Sequence, residues 1–387
     1  MDNYKYLKVF YNDILVGTLA KTPDRVIAFE YDLDWLNNGF SISPFSLPLI
    51  KKVFIPKYDP FGGLFGVFND SLPDGWGRLL VDRLFLKNKI NPNEIDNLNR
   101  LAVVQECGMG ALTYKPEHKF ESGNSIQDYD ILAQECSNIL ESQNSENLDE
   151  IFNLGGSSGG ARPKILTSID NEDWIIKFPS SSDPKNIGEK EYQYSLCAKN
   201  CGINMTETRL FPSKICSGYF GIKRFDRKNG KKVHMVSVSG LLETSHRLPN
   251  LDYNTLMKLT LELTRNYQDI EQMFRLMCFN VFAHNRDDHS KNFSFLFDDT
   301  KKEWHLSPAY DLTYSFSFNG EHATTINGEG KNPTLENILA VAKNIGLNEK
   351  SAKNEYDKFY ILKDEELQKA GLKITNYEGS YFLVNYD

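Results

Sequence analysis

The chain has 387 residues, more than one small module needs, and its length indicates two or three domains. The 52 acidic and 44 basic residues give a net charge of −8, which excludes the bulk positive charge that drives binding to nucleic acid or to an anionic membrane. With 40% apolar residues, 25 Phe and 19 Tyr, the chain can fill hydrophobic cores, so global disorder is excluded as well.

The sequence carries no signal for export or membrane insertion. The opening segment MDNYKYLKVF has no charged stretch followed by an apolar one, so we predict no secretory signal. No apolar run approaches the roughly 20 residues that a membrane helix needs. The six cysteines include no Cys-x-x-Cys pair, which favours reduced thiols over a zinc site. We therefore expect a cytoplasmic protein without membrane contact.

The first hundred residues combine strand signals with a helix signal. Asn12-Asp13 separates two alternating apolar runs and predicts a tight hairpin. The predicted elements are the strands Tyr6–Tyr11, Ile14–Leu19 and Val26–Tyr31 and the helix Asp74–Leu86. A polar stretch over 117–127 follows, and we place a domain boundary at its start.

The middle of the chain predicts a small antiparallel sheet with one helix. A Gly/Ser loop, NLGGSSGGARPK over 153–164, precedes it. Asn229-Gly230 is a strong hairpin signal, and Gly202 suits the position after a helix. The predicted elements are the strands Ile165–Ile169 and Trp174–Phe178, joined by the turn Asp170–Asp173, the helix Glu189–Cys201, and the strands Phe220–Phe225 and Val233–Val238.

From Asp252 onward the pattern is mainly helical. The clearest helix has apolar residues at the i, i+3, i+4, i+7 spacing, namely Ile270, Met273, Phe274, Met277, Cys278 and Val281. It ends at a polar run over 284–292. A β-hairpin is predicted next, with arms Phe293–Phe297 and Trp304–Leu306, and the tail from Thr334 is predicted to be helical.

Two features of the middle region suit phosphate binding. A Gly-rich loop lets backbone N–H groups approach an anion, although a flexible surface turn explains the loop alone equally well. Lys177 lies in a strand of bulky apolar residues, where a water-facing edge position is the simpler explanation. The order of loop, strand, turn and lysine-bearing strand is, however, that of a kinase N-lobe, whose lysine clamps phosphates. Glu191, or alternatively Glu189, then opens the helix that should supply an acid.

The most specific pattern is HNRDDHSKN over 284–292. Asp287 and Asn292 have the Asp-x4-Asn spacing of a kinase catalytic loop, in which the Asp orients a substrate hydroxyl and the Asn binds Mg²⁺. Asp311 follows a predicted hairpin and suits a second Mg²⁺ ligand. Helix caps and buried hydrogen bonds explain any one of these residues, but not all of them in this order.

A metal-dependent hydrolase centre is a second interpretation of the same region. It leaves Lys177, Asn292 and the Gly-rich loop unexplained, so we rank it lower. Its ligands would come from His284, Asp287, Asp288, His289, His305 and Asp311.

Taken together, these motifs resemble the HipA family of bacterial serine/threonine kinases, the toxins of toxin–antitoxin systems. The resemblance implies an α+β, two-lobed protein-kinase-like fold, related to phosphoinositide kinases, with an added N-terminal α/β domain and a mainly helical C-terminal lobe. The expected domains are 1–118, 119–245 and 246–387. The matching segments are FNDSLPDGWGRLLVDR (68–83), Gly110-Ala111-Leu112, SSGGARPK (157–164), IIKFP (175–179), RFDR (224–227), RDDHSKNFSF (286–295) and SPAYDL (307–312).

Carried over by position, the resemblance assigns roles to individual residues. Asp287 would be the catalytic base, with Asn292 and Asp311 as Mg²⁺ ligands and His289 and Lys291 supporting the catalytic loop. The nucleotide-binding residues would be Lys177, Ser158, Gly159, Gly160, Ala161, Lys164 and Glu191. One departure from the family pattern is Pro163, which removes one N–H donor from the loop.

The family's Gly-rich loop carries a serine whose autophosphorylation switches the kinase off. Ser157 matches this serine best, and the adjacent Ser158 is left open. A phosphate there would add roughly two negative charges where the ATP phosphates must lie, and repulsion would block ATP.

The implied function is that of an ATP- and Mg²⁺-dependent serine/threonine protein kinase acting as a growth-arresting toxin. Its substrate would be a cellular protein, for which the family suggests an aminoacyl-tRNA synthetase. The implied partner is a HipB-like helix-turn-helix antitoxin, through which any DNA contact would be made. Two alternatives stay open: a kinase of a lipid or small molecule, and a mainly binding component that acts as co-repressor in a DNA-bound complex.

Overall fold

The computed structural model describes residues 4–104, 108–118, 128–141, 147–156, 159–357 and 359, together with two strands between 372 and 385. The chain divides into two compact units. The first unit comprises Met1–Glu189, Glu207–Val236 and Gly240–Thr244, and the second comprises Lys190–Thr206, Ser237–Ser239 and Ser245–Asp387. The three sequence domains 1–118, 119–245 and 246–387 stay a prediction.

Strands and α-helices are numbered here in chain order. The strands are β1 (Tyr6–Tyr11), β2 (Ile14–Lys21), β3 (Ile27–Tyr31), β4 (Val53–Phe54), β5 (Leu112–Lys115), β6 (Lys164–Ile169), β7 (Glu172–Lys177), β8 (Thr208–Phe211), β9 (Tyr219–Lys223), β10 (Arg227–Lys228), β11 (Lys231–Lys232), β12 (His234–Ser237), β13 (Leu251–Asp252), β14 (Ser294–Asp298), β15 (Glu303–Leu306), β16 (Thr324–Thr325), β17 (Leu372–Tyr377) and β18 (Ser380–Asn385). The helices are α1 (Leu33–Asn38), α2 (Gly66–Asn69), α3 (Gly75–Lys87), α4 (Asn97–Leu101), α5 (Tyr129–Leu140), α6 (Leu148–Gly155), α7 (Ile187–Asn200), α8 (Val238–Leu241), α9 (Tyr253–Thr264), α10 (Tyr267–Phe282) and α11 (Leu335–Ile345).

The first unit begins with a five-stranded antiparallel sheet in the order β4-β3-β2-β1-β5. Buried and exposed side chains alternate along β1, so one face of the sheet is covered and the other is open to solvent. Phe29 of β3 lies on the covered face, and its ring contacts that of Phe68 in α2 with 5.1 Å between the ring centroids. The three strands predicted for this region are confirmed.

Two-residue turns join neighbouring strands in this unit. Asn12 and Asp13 have left-handed φ values of 43° and 66°, as the predicted hairpin requires. Asp170 and Asn171, with φ values of 55° and 62°, connect β6 to β7 in the same way. The longer turn predicted over Asp170–Asp173 was therefore wrong, because two left-handed residues reverse the chain and leave the next two free to join β7.

A second antiparallel sheet, in the order β6-β7-β9-β8, follows the Gly-rich loop. Its covered face packs against α3, α5 and α6 in one hydrophobic core. The core residues are Trp76, Leu80, Val81, Leu84, Phe85, Val103, Leu132, Ala133, Cys136, Ile139, Ile151, Phe152, Ile165, Ile176, Phe178 and Tyr219. The helix α3, from early in the chain, thus shares a core with the sheet that carries Lys177.

The hairpin at Asn229-Gly230 forms, but not with the predicted arms. The turn residues have left-handed φ values of 53° and 72°, and they join the short strands β10 and β11. The predicted arms Phe220–Phe225 and Val233–Val238 instead belong to β9 and β12, which end before and begin after this hairpin.

An ion cluster interrupts the predicted arms. Arg224 donates to both carboxylate oxygens of Asp226, and Arg227 donates to one of them. The same carboxylate accepts the Gly110 N–H at 2.7 Å, and Arg224 and Arg227 both donate to the Gly108 carbonyl. In a regular strand Arg224 and Asp226 would share one face and Arg227 would point to the other, so the contact of both arginines with one carboxylate does not fit a continuous strand here.

In the second unit, α9 and α10 supply the main apolar packing. Ile270, Met273, Met277 and Cys278 are fully buried on one face of α10, so the predicted helical periodicity is confirmed. The side chain of Asn266 accepts the Gln268 N–H and caps the start of this helix. The hairpin of β14 and β15 is also confirmed.

The tail was predicted to be helical from Thr334, and this is correct only for its first part. Thr334 caps α11 through a capping box, and Gly346 ends it with a φ of 78°. Further on, β17 and β18 pair as antiparallel strands, so the helical prediction was wrong there. Their segments are rich in Ile, Thr, Tyr, Phe and Val, and these residues favour strands over helices.

In the part of the chain that the structure describes, no helix combines the length and the apolar character that crossing a membrane requires.

Candidate functional site

The Gly-rich loop is held by the start of helix α3. The Gly160 N–H donates a hydrogen bond to the carboxylate of Asp74, and the Gly160 carbonyl accepts from the Trp76 N–H at 2.9 Å. Asp74 stands at the N-cap position of α3, yet its side chain makes no cap bond to the helix. Its carboxylate therefore faces the loop. It accepts a hydrogen bond from a backbone N–H of the kind that binds anions.

The approach of α3 to the loop requires glycine at position 75. Gly75 has a left-handed φ of 45°, and a Cβ atom built there would lie 2.4 Å from the carbonyl oxygen of Gly160. No side chain fits at that distance, so the loop and the first turn of α3 meet backbone to backbone.

Lys164 and Trp76 close the base of the loop. Lys164 is only 8% exposed, and its ammonium group donates to the Gly159 carbonyl at 2.5 Å. The Lys164 carbonyl accepts from the Trp76 indole N–H at 3.1 Å. Lys164 thus holds the loop from below. The nucleotide contacts predicted for Lys164 and for the exposed Ala161 stay predictions.

Lys177 ends the strand β7, opposite Lys164 on β6 and Phe220 on β9. Its ammonium group lies 5.5 Å from the centre of the Phe220 ring, a favourable cation–π distance. The side chain is half-buried, so the strand position exposes part of it, as a phosphate-clamping lysine requires.

Ser157 and Ser158, the two candidates for autophosphorylation, lie outside the residues that the structure describes. The predicted contact of Ser158 with nucleotide therefore stays a prediction from the sequence.

In the second unit, two adjacent aspartates have opposite environments. The Asp287 side chain is 59% exposed, with one carboxylate oxygen 3.9 Å from the Nε2 of His289. Asp288 is fully buried, and its carboxylate accepts from the Tyr253 hydroxyl at 3.0 Å and lies 3.0 Å from the Nδ1 of His322. A group that must reach a substrate has to be exposed, so Asp287 fits the catalytic role and Asp288 a structural one.

Asn292 is fixed against the backbone of Asp287. Its side-chain N–H donates to the Asp287 carbonyl at 2.7 Å, and its own N–H donates to the His289 carbonyl at 2.8 Å. Since the amide nitrogen is the donor, the amide oxygen is the atom directed away from this bond. An amide oxygen is a hard ligand of the type that Mg²⁺ prefers.

Tyr310 brings the segment of Asp311 beside the loop that carries Asp287 and Asn292. Its hydroxyl donates to the Lys291 carbonyl at 2.6 Å and lies 2.5 Å from the hydroxyl of Ser294. Asp311, the next residue, is exposed and has a left-handed φ of 54°. The structure thus places Asp311 and Asn292 on neighbouring segments of the second unit, and both offer oxygen atoms that suit Mg²⁺.

The supporting residues differ in their exposure. His289 caps the short turn that carries Asn292, because its Nδ1 accepts the Lys291 N–H at 3.3 Å. Glu191 on α7 is 4% exposed, whereas the alternative Glu189 is half-buried. A buried carboxylate needs a charged or hydrogen-bonding partner, so the burial favours Glu191 as the acid of that helix.

The hydrolase interpretation finds no support in the geometry. Within the described ranges, no three His, Cys, Asp or Glu side chains lie close enough to hold a metal ion together. Asp288 is taken by its buried partners, and the Nδ1 of His305 instead faces Asp269, 3.8 Å from its carboxylate.

Sequence reasoning missed two features of this region. The sequence did not indicate that Asp288 is buried, because its partners Tyr253 and His322 lie 35 and 34 positions away along the chain. Asp74 was not identified as a loop contact either, because it lies 86 positions from Gly160 along the chain. Asp74 lies within the FNDSLPDGWGRLLVDR segment, which resembles the family. The pattern of that segment alone does not indicate which residues Asp74 contacts.

Two protein families match consecutive parts of the chain. Residues 7–115 match the HipA N-terminal domain, and residues 156–363 match the HipA-like C-terminal domain. The second match alone covers more than half of the chain.

Two curated relatives are described as putative kinases. The chain is 27% identical over 169 residues to the putative kinase Y4dM of Sinorhizobium fredii, which is 40% of either protein. It is 26% identical over 183 residues to a putative kinase of Haemophilus influenzae, covering 41% of this chain and 52% of that protein. The matches thus span about two fifths to one half of the length of these relatives.

A solved structure covers nearly the whole chain. HipA of Shewanella oneidensis, from a complex of HipA, HipB and operator DNA, superposes with a TM-score of 0.68 and 17% sequence identity, over 94% of this chain and 90% of that one. At this identity the likeness is evidence of fold, and it confirms the predicted α+β fold class. With both family domains matched in order and the fold shared, the chain belongs to the HipA family.

Proposed function

We propose that this protein is an ATP- and Mg²⁺-dependent serine/threonine protein kinase and the toxin of a HipA-like toxin–antitoxin system. One observation carries the proposal. The exposed carboxylate of Asp287 stands on a loop whose backbone is fixed by Asn292, while the neighbouring Asp288 is buried and serves the fold. An exposed, rigidly positioned carboxylate of this type suits proton transfer from a hydroxyl group.

The residues of the second unit divide the catalytic work. Asp287 would orient the substrate hydroxyl and accept its proton as the phosphoryl group is transferred. The amide oxygen of Asn292 and the carboxylate of Asp311 would hold Mg²⁺, which supplies charge neutralisation for the phosphates of the nucleotide. Positioning and electrostatic stabilisation account for most of the catalysis in this reaction class.

The residues of the first unit would bind the nucleotide phosphates. The carboxylate of Asp74 on the Gly160 N–H supports this role, since it is an oxyanion on the very donor that a phosphate oxygen would use. Lys177 would add a positive charge from the end of β7. Asp74 would have to release the Gly160 N–H before a phosphate oxygen could accept a hydrogen bond from it.

The proposal extends to regulation and partners. Ser157, or Ser158, would be autophosphorylated and would then block ATP by charge repulsion. The relative from Shewanella oneidensis was solved with HipB and operator DNA, which supports a HipB-like antitoxin as the partner here. With a net charge of −8, the chain suits DNA contact through that partner better than by itself. The cellular substrate would be a protein.

Binding of Mg-ATP tests the nucleotide site. Titration calorimetry should detect binding to the wild type, and Lys177→Ala should weaken it by about tenfold, equal to roughly 1.4 kcal/mol. Lys228→Ala, which removes an exposed lysine at the β10–β11 hairpin, is the matched control and should bind normally. A wild type that binds no Mg-ATP, or a Lys177→Ala variant with unchanged affinity, would count against the proposed site.

A further inference from the structure

Arg162 ends the Gly-rich loop with an ion pair that the roles described above do not use. Its Nε and Nη2 atoms donate to the two carboxylate oxygens of Asp183, at 3.1 and 3.2 Å. The pair is partly sheltered from water, because the Arg162 side chain is 34% exposed and that of Asp183 is 13% exposed. A planar, bidentate contact of this kind fixes the direction of an arginine side chain as well as its position.

Asp183 is itself held by the turn that follows strand β7. One of its carboxylate oxygens accepts the Ser180 N–H at 2.9 Å and the Ser180 hydroxyl at 2.8 Å, and the Asp183 N–H donates to the Ser180 carbonyl at 3.1 Å. Partial burial raises the pKa of Asp183, but the bonds from Ser180 and the Arg162 guanidinium outweigh it and leave the pKa below its ordinary value. The carboxylate is therefore charged at neutral pH and gives Arg162 a fixed partner.

Pro163 connects this ion pair to the lysine strand. It is buried, and its ring restricts the backbone between Arg162 and β6. Its carbonyl accepts the Phe178 N–H at 2.8 Å, which continues the ladder of β6 and β7 past the opposed residues Lys164 and Lys177. The end of the Gly-rich loop is thus joined directly to the end of the strand that carries Lys177.

The other limb of the loop has an anchor of a different kind. Gly160 is held through its N–H by the Asp74 carboxylate and through its carbonyl by the Trp76 N–H. A phosphate oxygen that used the Gly160 N–H would displace Asp74. The pair of Arg162 and Asp183 is made by side chains alone, so a phosphate can bind the loop backbone without breaking it.

We propose that Arg162 is a positioning residue of the nucleotide site, and that its ion pair with Asp183 sets where the Gly-rich loop holds its N–H groups relative to Lys177. This inference rests on the proposed kinase function. Binding of phosphates by backbone donors and a lysine depends on the mutual position of these groups, since preorganised donors need no further ordering when the anion arrives. A loop released from Asp183 would have to be ordered by the nucleotide, and the nucleotide would bind more weakly.

A direct contact of Arg162 with the nucleotide is the alternative that the test has to separate from positioning. Both roles predict weaker binding when Arg162 is replaced. They differ at Asp183, where Asp183→Asn keeps the shape of the side chain and removes its charge. Under positioning this substitution weakens binding as well. Under direct contact it strengthens binding, because the arginine is released toward the phosphates and a nearby negative charge is removed.

A double-mutant cycle measured by titration calorimetry with Mg-ATP tests the proposal. Arg162→Gln and Asp183→Asn should each weaken binding about tenfold, and the double variant should bind like either single variant, because all three lack the same ion pair. Arg162→Lys, which keeps the charge without the bidentate geometry, should fall between wild type and Arg162→Gln. Unchanged affinity in both single variants, tighter binding by Asp183→Asn, or losses that multiply to about a hundredfold in the double variant would overturn it.

Two controls accompany the cycle. Arg209→Gln removes an arginine that is ion-paired with Glu207 in the same sheet, and it should bind Mg-ATP normally. Urea denaturation checks that each variant unfolds cooperatively. If Arg162→Gln does not, Arg162→Lys takes its place in the cycle, with a smaller loss that should again be shared with Asp183→Asn.

The anchoring of the loop is measured separately, without nucleotide. Hydrogen–deuterium exchange followed by mass spectrometry reports on the peptide that contains the Phe178 N–H, which bonds to Pro163. Arg162→Gln and Asp183→Asn should accelerate exchange there by about tenfold, because local opening becomes easier, and Arg209→Gln should not. Unchanged exchange in both variants overturns the anchoring. A wild type that binds no Mg-ATP overturns the kinase proposal instead, and the exchange rates still decide whether the ion pair holds the loop.

Discussion

At the scale of single residues, the neighbours Asp287 and Asp288 differ in what surrounds them rather than in what they are. One carboxylate faces solvent, and the other accepts hydrogen bonds from Tyr253 and from the Thr324 N–H. The Asp-x4-Asn spacing predicts a catalytic role for the first carboxylate, because that motif is local in sequence. The buried environment of the second carboxylate depends on partners 34 to 36 positions away along the chain, and no local pattern indicates them.

This difference predicts opposite results for two adjacent substitutions. Asp288→Ala should destabilise the fold by about 3–5 kcal/mol, because it leaves several buried polar groups unpaired. Asp287→Ala should change the free energy of unfolding by less than about 0.5 kcal/mol, because its side chain is exposed. Urea denaturation of both variants measures this, and equal destabilisation would contradict the assignment.

The contact of Asp74 with the loop predicts a gain of nucleotide affinity. Asp74→Ala frees the Gly160 N–H for a phosphate oxygen and removes a negative charge from its vicinity. A hydrogen bond to a charged group contributes about 1.5–3 kcal/mol, so Mg-ATP should bind at least about tenfold more tightly. Calorimetry compares it with Asp24→Ala, an exposed control in the same unit. Weaker or unchanged binding would show that Asp74 does not compete with the phosphate.

At the scale of elements, the sequence predicted hairpins better than it predicted their arms. The turns at Asn12-Asp13 and Asn229-Gly230 both form, because turn chemistry is set by two adjacent residues. The arms around the second turn were wrong because the Asp226 carboxylate binds the Gly110 N–H, a contact across 116 positions. Apolar alternation does not reveal such an ion cluster.

The contact of Glu243 with Gly66, at the start of the short helix α2, predicts that the stability of the fold depends on pH. Glu243 accepts the Gly66 N–H with both carboxylate oxygens, at 3.1 and 3.0 Å, and burial raises its pKa to about 7. Between the ordinary value of 4.5 and 7 the folded chain binds more protons than the unfolded chain. The free energy of unfolding contributed by this group is thus largest at low pH and falls as the pH rises through 7.

Two variants test this pH dependence. Glu243→Gln removes the titrating group, and Glu30→Gln, on the exposed face of β3, is the control. Urea denaturation at pH 5 and pH 8 should show a smaller loss of stability with pH in Glu243→Gln than in the wild type. Glu30→Gln should keep the wild-type dependence. The same pH dependence in all three proteins would mean that Glu243 is not the titrating group.

At the scale of the whole molecule, the sequence predicted the order of the family segments. It did not predict that α3 shares a hydrophobic core with the second sheet. Motifs in a fixed order indicated the fold family, and the superposition with HipA agrees. The sequence placed a boundary at residue 118. In the structure, Trp76, Leu80 and Leu84 of α3 pack in one core with Ile165 and Ile176 of the second sheet.

This shared core predicts the behaviour of a truncated chain. A fragment of residues 119–387 loses the apolar side chains of α3, and each large one contributes about 2–5 kcal/mol when buried. We expect the fragment to be insoluble or to unfold without cooperativity, and co-expression with residues 1–118 should restore a soluble complex. Cooperative unfolding of the isolated fragment at the temperature of the intact chain would contradict the single core.

The proposed function depends on phosphoryl transfer with Asp287 as the catalytic base. Mass spectrometry of the wild type and of Asp287→Ala, each incubated with Mg-ATP, tests it most directly. We expect a gain of about 80 Da, one phosphate group, on the peptide containing Ser157 and Ser158 in the wild type and not in the variant. Equal phosphorylation of both proteins, or none on a wild type that binds Mg-ATP, would contradict it.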